Sequence, residues 1–269
     1  WSLALVPLAA ALTFDDLPAC QQGPVVQGGN DFYVVAVSPS SEPDAIGGHI
    51  ALWQRSAALD RDHFWQYGMV RGSNLQLSGI VLGWVPTWWT LDPVDKELKK
   101  YARQNRSVVA LKLDLPSRER ILLQNALTQA KKNDARTAPW DYLDNNCSTA
   151  IRDVLDEAFE GRLATSLDTP AGKTLLDDVL RHAGVLPWAW AGLAIGHGAP
   201  TDRDLGAWRH AAFSLRLAEH LDTLELDGRP LVTERCLLLD GNRALPPEEP
   251  PDFTGWLALI GLSWAGGLA

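Results

Sequence analysis

The chain has 269 residues, 46% of them hydrophobic and 21% charged, with 22 Gly and 17 Pro. That composition is ordinary for a globular protein and excludes a wholly disordered or collagen-like chain. Asp and Glu outnumber Lys and Arg by 33 to 24, for a net charge of −9. An acidic surface repels phosphate backbones, which argues against nucleic-acid binding. No internal run supplies the roughly 18 uncharged apolar residues of a spanning helix, so a polytopic membrane protein is excluded. Three cysteines are too few for a disulfide scaffold.

At the amino end, residues 3–12 are uncharged and mostly apolar, and Ala9, Ala10 and Ala11 precede Asp15 and Asp16. The stretch reads as the back half of a secretory signal; a buried strand or helix is the alternative. Leu17-Pro18-Ala19-Cys20 is a poor lipobox, because two aspartates stand directly before it.

A loop follows at 21–31, and residues 31–40 read as a buried strand ending at Pro39. The runs 47–55 and 63–70 are strand-like and flank the charged turn Asp60-Arg61-Asp62, which predicts a hairpin. Residues 80–91 carry no charge but hold Pro86, Gly83 and three tryptophans, and make a poor regular strand or helix. Trp84, Trp88 and Trp89 there suit a membrane interface or a lid over a lipid-shaped groove; core packing is the plainer alternative.

Val109, Leu111, Leu113 and Leu115 alternate within 107–116, the pattern of a half-buried strand. Residues 117–133 repeat apolar positions at helical spacing after Pro116, with Ser117 as the expected N-cap. Ala150, Ile151, Val154, Leu155, Ala158 and Phe159 share one face of a second helix over 145–161, and Gly161 is placed to end it. Residues 172–224 read as mostly helical, with breaks at Pro187, 196–198 and Pro200, and 229–239 as a late strand. Phe253 to Ala269 carries no charge. It reads as the start of a membrane helix, or else as an apolar docking tail.

The domain expectation is a leader at 1–14, one domain at 30–245 and the tail at 253–269. The domain divides into a core at 30–160 and a helical extension at 161–245.

Two residues carry chemistry. Cys147 follows Asp144-Asn145-Asn146, good N-cap residues, and so falls at a helix start. The helix dipole there should lower its pKa, and the unpaired N–H groups could hold an oxyanion. A buried structural cysteine is the alternative. His49 follows Gly47-Gly48 at the head of a strand, where a close approach is possible. Alone it reads as a satisfied strand residue; paired with Cys147 it makes a nucleophile and base.

The remaining candidates read as structural. His63, His182, His197, His210 and His220 show no zinc-like spacing and read as surface or loop residues. No metal or cofactor is called for. Ser148 and Thr149 suit backbone capping, and Arg152-Asp153 a solvated or docking pair. Cys20 and Cys236 are left over and could pair in an oxidising compartment, although nothing in the sequence places them together.

Three strings in order carry a family resemblance: Gly47-Gly48-His49-Ile50-Ala51-Leu52-Trp53, Trp65-Gln66-Tyr67-Gly68, and the stretch from Trp140 through Asn145-Asn146-Cys147-Ser148-Thr149 to Asp156. They resemble the N-terminal periplasmic domain of the Lnb family, bacterial lipoprotein intramolecular transacylases. More widely, they resemble circularly permuted NlpC-type, papain-like enzymes, in which the histidine strand precedes the cysteine helix.

The resemblance implies an α+β, permuted papain-like fold. Its antiparallel sheet would pack on the cysteine-bearing helix, with further helices in the C-terminal half. It implies acyl transfer through a Cys147 thioester, with His49 as base and a lipid or lipoprotein as substrate. The place would be the periplasm or the outer face of the inner membrane, at a membrane surface. Gln66 stands where the family often has Asn and would orient His49; Tyr67 is the other candidate. Tyr142 and the tryptophans Trp84, Trp88 and Trp89 would contact substrate or membrane. Ala150 departs from the family's usual Arg, which opens a different substrate. A peptidoglycan amidase or peptidase, or an inactive membrane-associated binding domain, are the other readings.

Overall fold

The computed structural model describes residues 17–20, 30–40, 45, 47–56, 62–69, 85–133, 139–184, 187–197, 203–241, 246, 249–255 and 258. The apolar leader, most of the loop at 21–31, Trp84 and the tail beyond 258 lie outside them.

Eight strands and eight helices occur among the described residues. In chain order they are β1 (Asn30–Val37), β2 (His49–Ser56), β3 (His63–Met69), β4 (Thr87–Pro93), α1 (Val94–Arg103), β5 (Val108–Leu113), α2 (Ser117–Lys132) and α3 (Cys147–Ala158). Then come α4 (Arg162–Ser166), α5 (Leu175–Ala183), α6 (Pro187–His197), α7 (Ala207–His210), α8 (Ser214–Thr223), β6 (Glu225–Leu226), β7 (Arg229–Pro230) and β8 (Val232–Leu239). The class is α+β.

Six strands form one antiparallel sheet in the order β4-β3-β2-β1-β5-β8. Alternation along the central strands feeds two cores. On one face Val34, Ala36, Ile50, Leu52, Trp65, Val109 and Leu111 pack with Leu123 and Leu127 of α2, Ile151 and Leu155 of α3, and Leu217 of α8. On the other, Tyr33, Val35, Ala51, Trp53, Phe64 and Ala110 pack with Tyr101 of α1. The cysteine-bearing helix therefore lies on the sheet beside β2 and β3.

One irregularity in the sheet positions the site. β3 follows β4 along its whole length, from His63 opposite Pro93 to Met69 opposite Thr87. Its pairing with β2 covers only Leu52–Gln54 against His63–Trp65. His49 at the head of β2 lies beyond that paired stretch.

Three expectations change. Thr87–Pro93, within and beyond the stretch read as irregular, is a strand; it is an edge, where flanking prolines are tolerated. Helix α1 was not anticipated, although Pro93 before it, Asp95 and Glu97 in its first turn and Arg103 in its last are start and stop signals. In α2, Pro116 and not Ser117 is the N-cap residue, and no side chain caps it.

Cys20 and Cys236 form a disulfide, with Cα atoms 4.7 Å apart. It fastens residues 17–20 along the outer edge of β8, where Cys20 donates its N–H to Leu237 and Leu237 donates to Pro18. An edge strand open to intermolecular pairing is thereby covered over part of its length.

Candidate active site

The segment 139–146 builds the start of α3. Asp141 Oδ1 accepts the N–H groups of Leu143 (2.8 Å) and Asp144 (2.7 Å), closing a turn. Asn146 is the N-cap: its side-chain oxygen accepts from Ser148 (2.8 Å) and Thr149 (3.1 Å), while the Thr149 hydroxyl accepts the Asn146 N–H at 2.9 Å. The Asn146 amide also donates to the Tyr142 carbonyl at 2.8 Å. Cys147 is thus the first helical residue.

This cap also corrects an expectation. The N–H groups of Ser148 and Thr149 are taken by Asn146, and that of Ala150 goes to the Asn146 carbonyl. Of the four N–H groups that a helix start leaves without an intrahelical partner, the cap takes those of Asn146, Ser148 and Thr149 and not that of Cys147.

The Cys147 thiol is free, and the residue packs against the core on the α3 side of the sheet. Part of Cys147 reaches the surface, but protein surrounds its sulfur. Burial pushes its pKa up, against the lowering effects of the Ile50 N–H, the Ser148 hydroxyl and N–H, and the Arg106 charge. The sequence expectation was a lowered pKa from the helix start. Desolvation outweighs the dipole here, and the resting group is a thiol.

His49 Nε2 lies 3.0 Å from Gln66 Oε1. Gln66 is buried, and its amide orientation follows from its partners. Its Nε2 donates to Asp92 Oδ2 (3.3 Å), an acceptor, so Oε1 faces His49 and also accepts the Tyr101 hydroxyl at 3.0 Å. His49 therefore carries its proton on Nε2, which leaves Nδ1 as the basic atom. A base with that lone pair can take a thiol proton as sulfur attacks a carbonyl, and return it to a leaving group.

Tyr101 and Asp92 were missed in the sequence. Arg106, 2% exposed, stands behind them. It donates to the Ser38 carbonyl, and its guanidinium lies 5.3 Å from the centre of the Tyr101 ring.

The other candidates divide. Tyr142 is half-buried, with its ring edge-on to Trp140 (5.7 Å) and Phe213 (5.6 Å). Burial, then the Asp178 carboxylate, pushes its phenol up, so it stays protonated. Trp89 is 7% exposed and packs on Tyr67 at 5.5 Å, so it serves the core. Trp88 is half-buried on β4. Ser148 and Thr149 are buried at the helix start, where the Thr149 hydroxyl completes the cap. Arg152 lies 4.0 Å over the Trp208 ring and bonds Asp153 and the Trp208 carbonyl, so the pair docks α3 on α7.

His182 and His210 are not surface residues. Both are buried in a charge cluster behind α8. There Asp178 pairs with Arg216 (2.7 Å) and His210, and Glu219 with Arg181 (2.9 Å) and Arg216 (2.8 Å). Burial alone would raise the Asp178 carboxyl, but bonding to His210 and the charges of His210, Arg216 and His182 hold it at about 2. No group of three His, Cys, Asp or Glu suited to a metal occurs among the described residues.

Sheet, helix and site define an α+β domain with a free cysteine at a helix start and an amide-held histidine at the head of β2. Residues 30–180 match the family model of the Lnb N-terminal periplasmic domain. The match spans more than half of the chain, and the chain belongs to that family. Among solved structures, the Type VI secretion system effector TseH is similar at 18% identity, covering 51% of this chain and 79% of that one. Its TM-score is 0.31, too slight a likeness to carry weight for fold or activity. No curated protein matches the chain. No helix among the described residues is long and apolar enough to cross a membrane.

Proposed function

We propose that this domain is a cell-envelope acyltransferase of the permuted papain-like kind, acting through a thioester on Cys147. The observation that carries the proposal is the bond between His49 Nε2 and Gln66 Oε1, which fixes the imidazole tautomer with Nδ1 as the basic atom. The neutral thiol gives its proton to Nδ1 as sulfur attacks an ester carbonyl. The ester C–O bond breaks, and the departing alkoxide takes that proton. An amine then attacks the thioester and loses a proton to His49, and the thiolate is reprotonated from the imidazolium. Gln66 adds no charge and keeps the imidazole in the working tautomer, as the amide does in Cys-His-Asn enzymes. Family membership supports a lipid or lipoprotein donor in the periplasm and a membrane surface as the place of work, with Trp84, Trp88 and Tyr142 as contacts.

The test is mass spectrometry of the protein after incubation with total envelope lipid. An acyl adduct on Cys147, absent from Cys147→Ser and much reduced in His49→Ala, is the expected result. A bare thiol together with cleavage of purified peptidoglycan would replace acyl transfer with an amidase. A bare thiol and no cleavage would leave a binding domain.

A further inference from the structure

Gln66 and Tyr67 are consecutive on β3, so their side chains leave opposite faces of the strand. Gln66 reaches His49. Tyr67, the alternative orienter in the sequence, goes the other way: its hydroxyl donates to Asn145 Oδ1 at 2.8 Å and accepts from Thr87 Oγ1 at 2.7 Å. Asn145 Nδ2 donates to Thr87 Oγ1 (3.3 Å) and to the Pro139 carbonyl (2.6 Å). The carbonyl can only accept, so the amide is oriented with Oδ1 toward Tyr67. Tyr67, Asn145 and Thr87 thus close a ring in which each side chain donates to the next. Thr87 is fully buried and Tyr67 nearly so, and low surrounding polarity strengthens such a ring.

Asn145 lies two residues before Cys147, next to the N-cap. The ring ties that point to β3 and β4, while the preceding β3 residue holds the imidazole. We propose that Tyr67, Thr87 and Asn145 are positioning residues that set where Cys147 stands relative to His49. The inference rests on the acyl-transfer reading, in which Cys147 and His49 react together. Neighbouring residues of one strand then bear on both partners, Gln66 through the imidazole and Tyr67 through the segment that starts α3. A misplacement of about 1 Å can cost roughly 100-fold in rate, which is the scale on which the ring should be felt.

The test uses the full chain and p-nitrophenyl acetate, whose small acyl group asks little of any lipid groove. The burst of nitrophenolate gives the Cys147 acylation rate, and its saturation with ester gives the binding constant. Tyr67→Phe and Thr87→Val should slow acylation about 10- to 100-fold with little change in ester binding. Thr87→Ser, which keeps the hydroxyl, should restore most of the rate. A merely structural ring would lower Tm and leave the acylation rate alone; rates within about twofold of wild type in Tyr67→Phe would overturn the proposal. Should Tyr67→Phe fail to fold, the Thr87→Val and Thr87→Ser pair decides in the same way, and equal rates for the two overturn it. A wild type without a burst defeats the acyl-transfer reading and this assignment together. A normal burst unmoved by the variants defeats this assignment only.

Discussion

The Ser214 hydroxyl at the start of α8 donates to the Gly47 carbonyl, 2.7 Å away and 167 residues back along the chain. It thereby presses on the Gly47-Gly48 turn that delivers His49. Gly48 has φ +76°, and a Cβ there would stand 2.9 Å from Ser214 Oγ and 3.0 Å from the Val37 carbonyl oxygen. Gly48→Ala therefore combines a left-handed backbone with two close contacts. It should cost about 1–3 kcal/mol in urea unfolding and displace His49, lowering the acylation rate. Ser214→Ala should cost about 1 kcal/mol and disturb the rate less. An unchanged midpoint and rate in Gly48→Ala would show that α8 does not constrain the turn.

The buried thiol sets a second expectation. Iodoacetamide should modify Cys147 with a pH midpoint above the ordinary thiol value of about 8.5, and slowly at pH 6.5. The sign in stability follows. With a folded pKa above the unfolded one, the contribution is intact below about pH 8.5 and is lost as pH rises toward the folded pKa. Wild type should therefore lose Tm relative to Cys147→Ser as pH rises above about 8.5. Complete modification at pH 6.5 would restore the lowered thiol pKa expected from the helix start.

A third concerns the amide. His49→Ala removes the base and should cost roughly 10²- to 10⁴-fold in acylation. Gln66→Ala leaves the base and loosens its tautomer, so the loss should be nearer tenfold. It also takes an acceptor from the Tyr101 hydroxyl and a donor from the Asp92 carboxylate, so a stability loss of about 1–3 kcal/mol should accompany it. Equal rate losses from the two substitutions would mean that Gln66 does more than orient.

The charge cluster behind α8 predicts acid sensitivity. Burial, then the His210 ring and Arg216, against the opposing pull of Glu219 and Asp178, hold His220 at about 4. Burial likewise lowers His182, against the pull of Asp178. A base with a depressed folded pKa takes its proton more readily when unfolded, so stability should fall as pH drops from about 6.5 to about 4. Asp178, held at about 2, works in the other window. Its contribution is present above about pH 4 and is lost as pH falls toward about 2. Tm should decline between pH 7 and 4, and His220→Gln should flatten that decline. A flat wild-type curve would remove the histidines from the account.

Much of this was legible in the sequence because it rests on local pattern. The alternation in 107–116, the helical face from Ala150 to Phe159 and the cap residues before Cys147 each fix an element from nearby residues, and they placed β5 and α3. Gln66 was a candidate partner of His49 only through the family resemblance, with Tyr67 as the alternative. What escaped depends on distant contacts. Tyr101 joins Gln66 only when α1 folds onto the sheet. The thiol pKa reverses because desolvation is a property of packing, not of helix position. His182 and His210 looked like surface residues because Asp178, Arg181, Arg216 and Glu219, which satisfy that buried site, come from two helices far apart in sequence.

The disulfide between Cys20 and Cys236 consumes two of the chain's three cysteines and leaves Cys147 as the free thiol. An unreduced preparation therefore offers one sulfhydryl per molecule, located where the chemistry is proposed. Stoichiometric colour with a thiol reagent would count intact sites directly, and a fluorophore or spin label could be placed there without first stripping competing cysteines. Mild reductant would break that equivalence, turning a single-site titration into one of three.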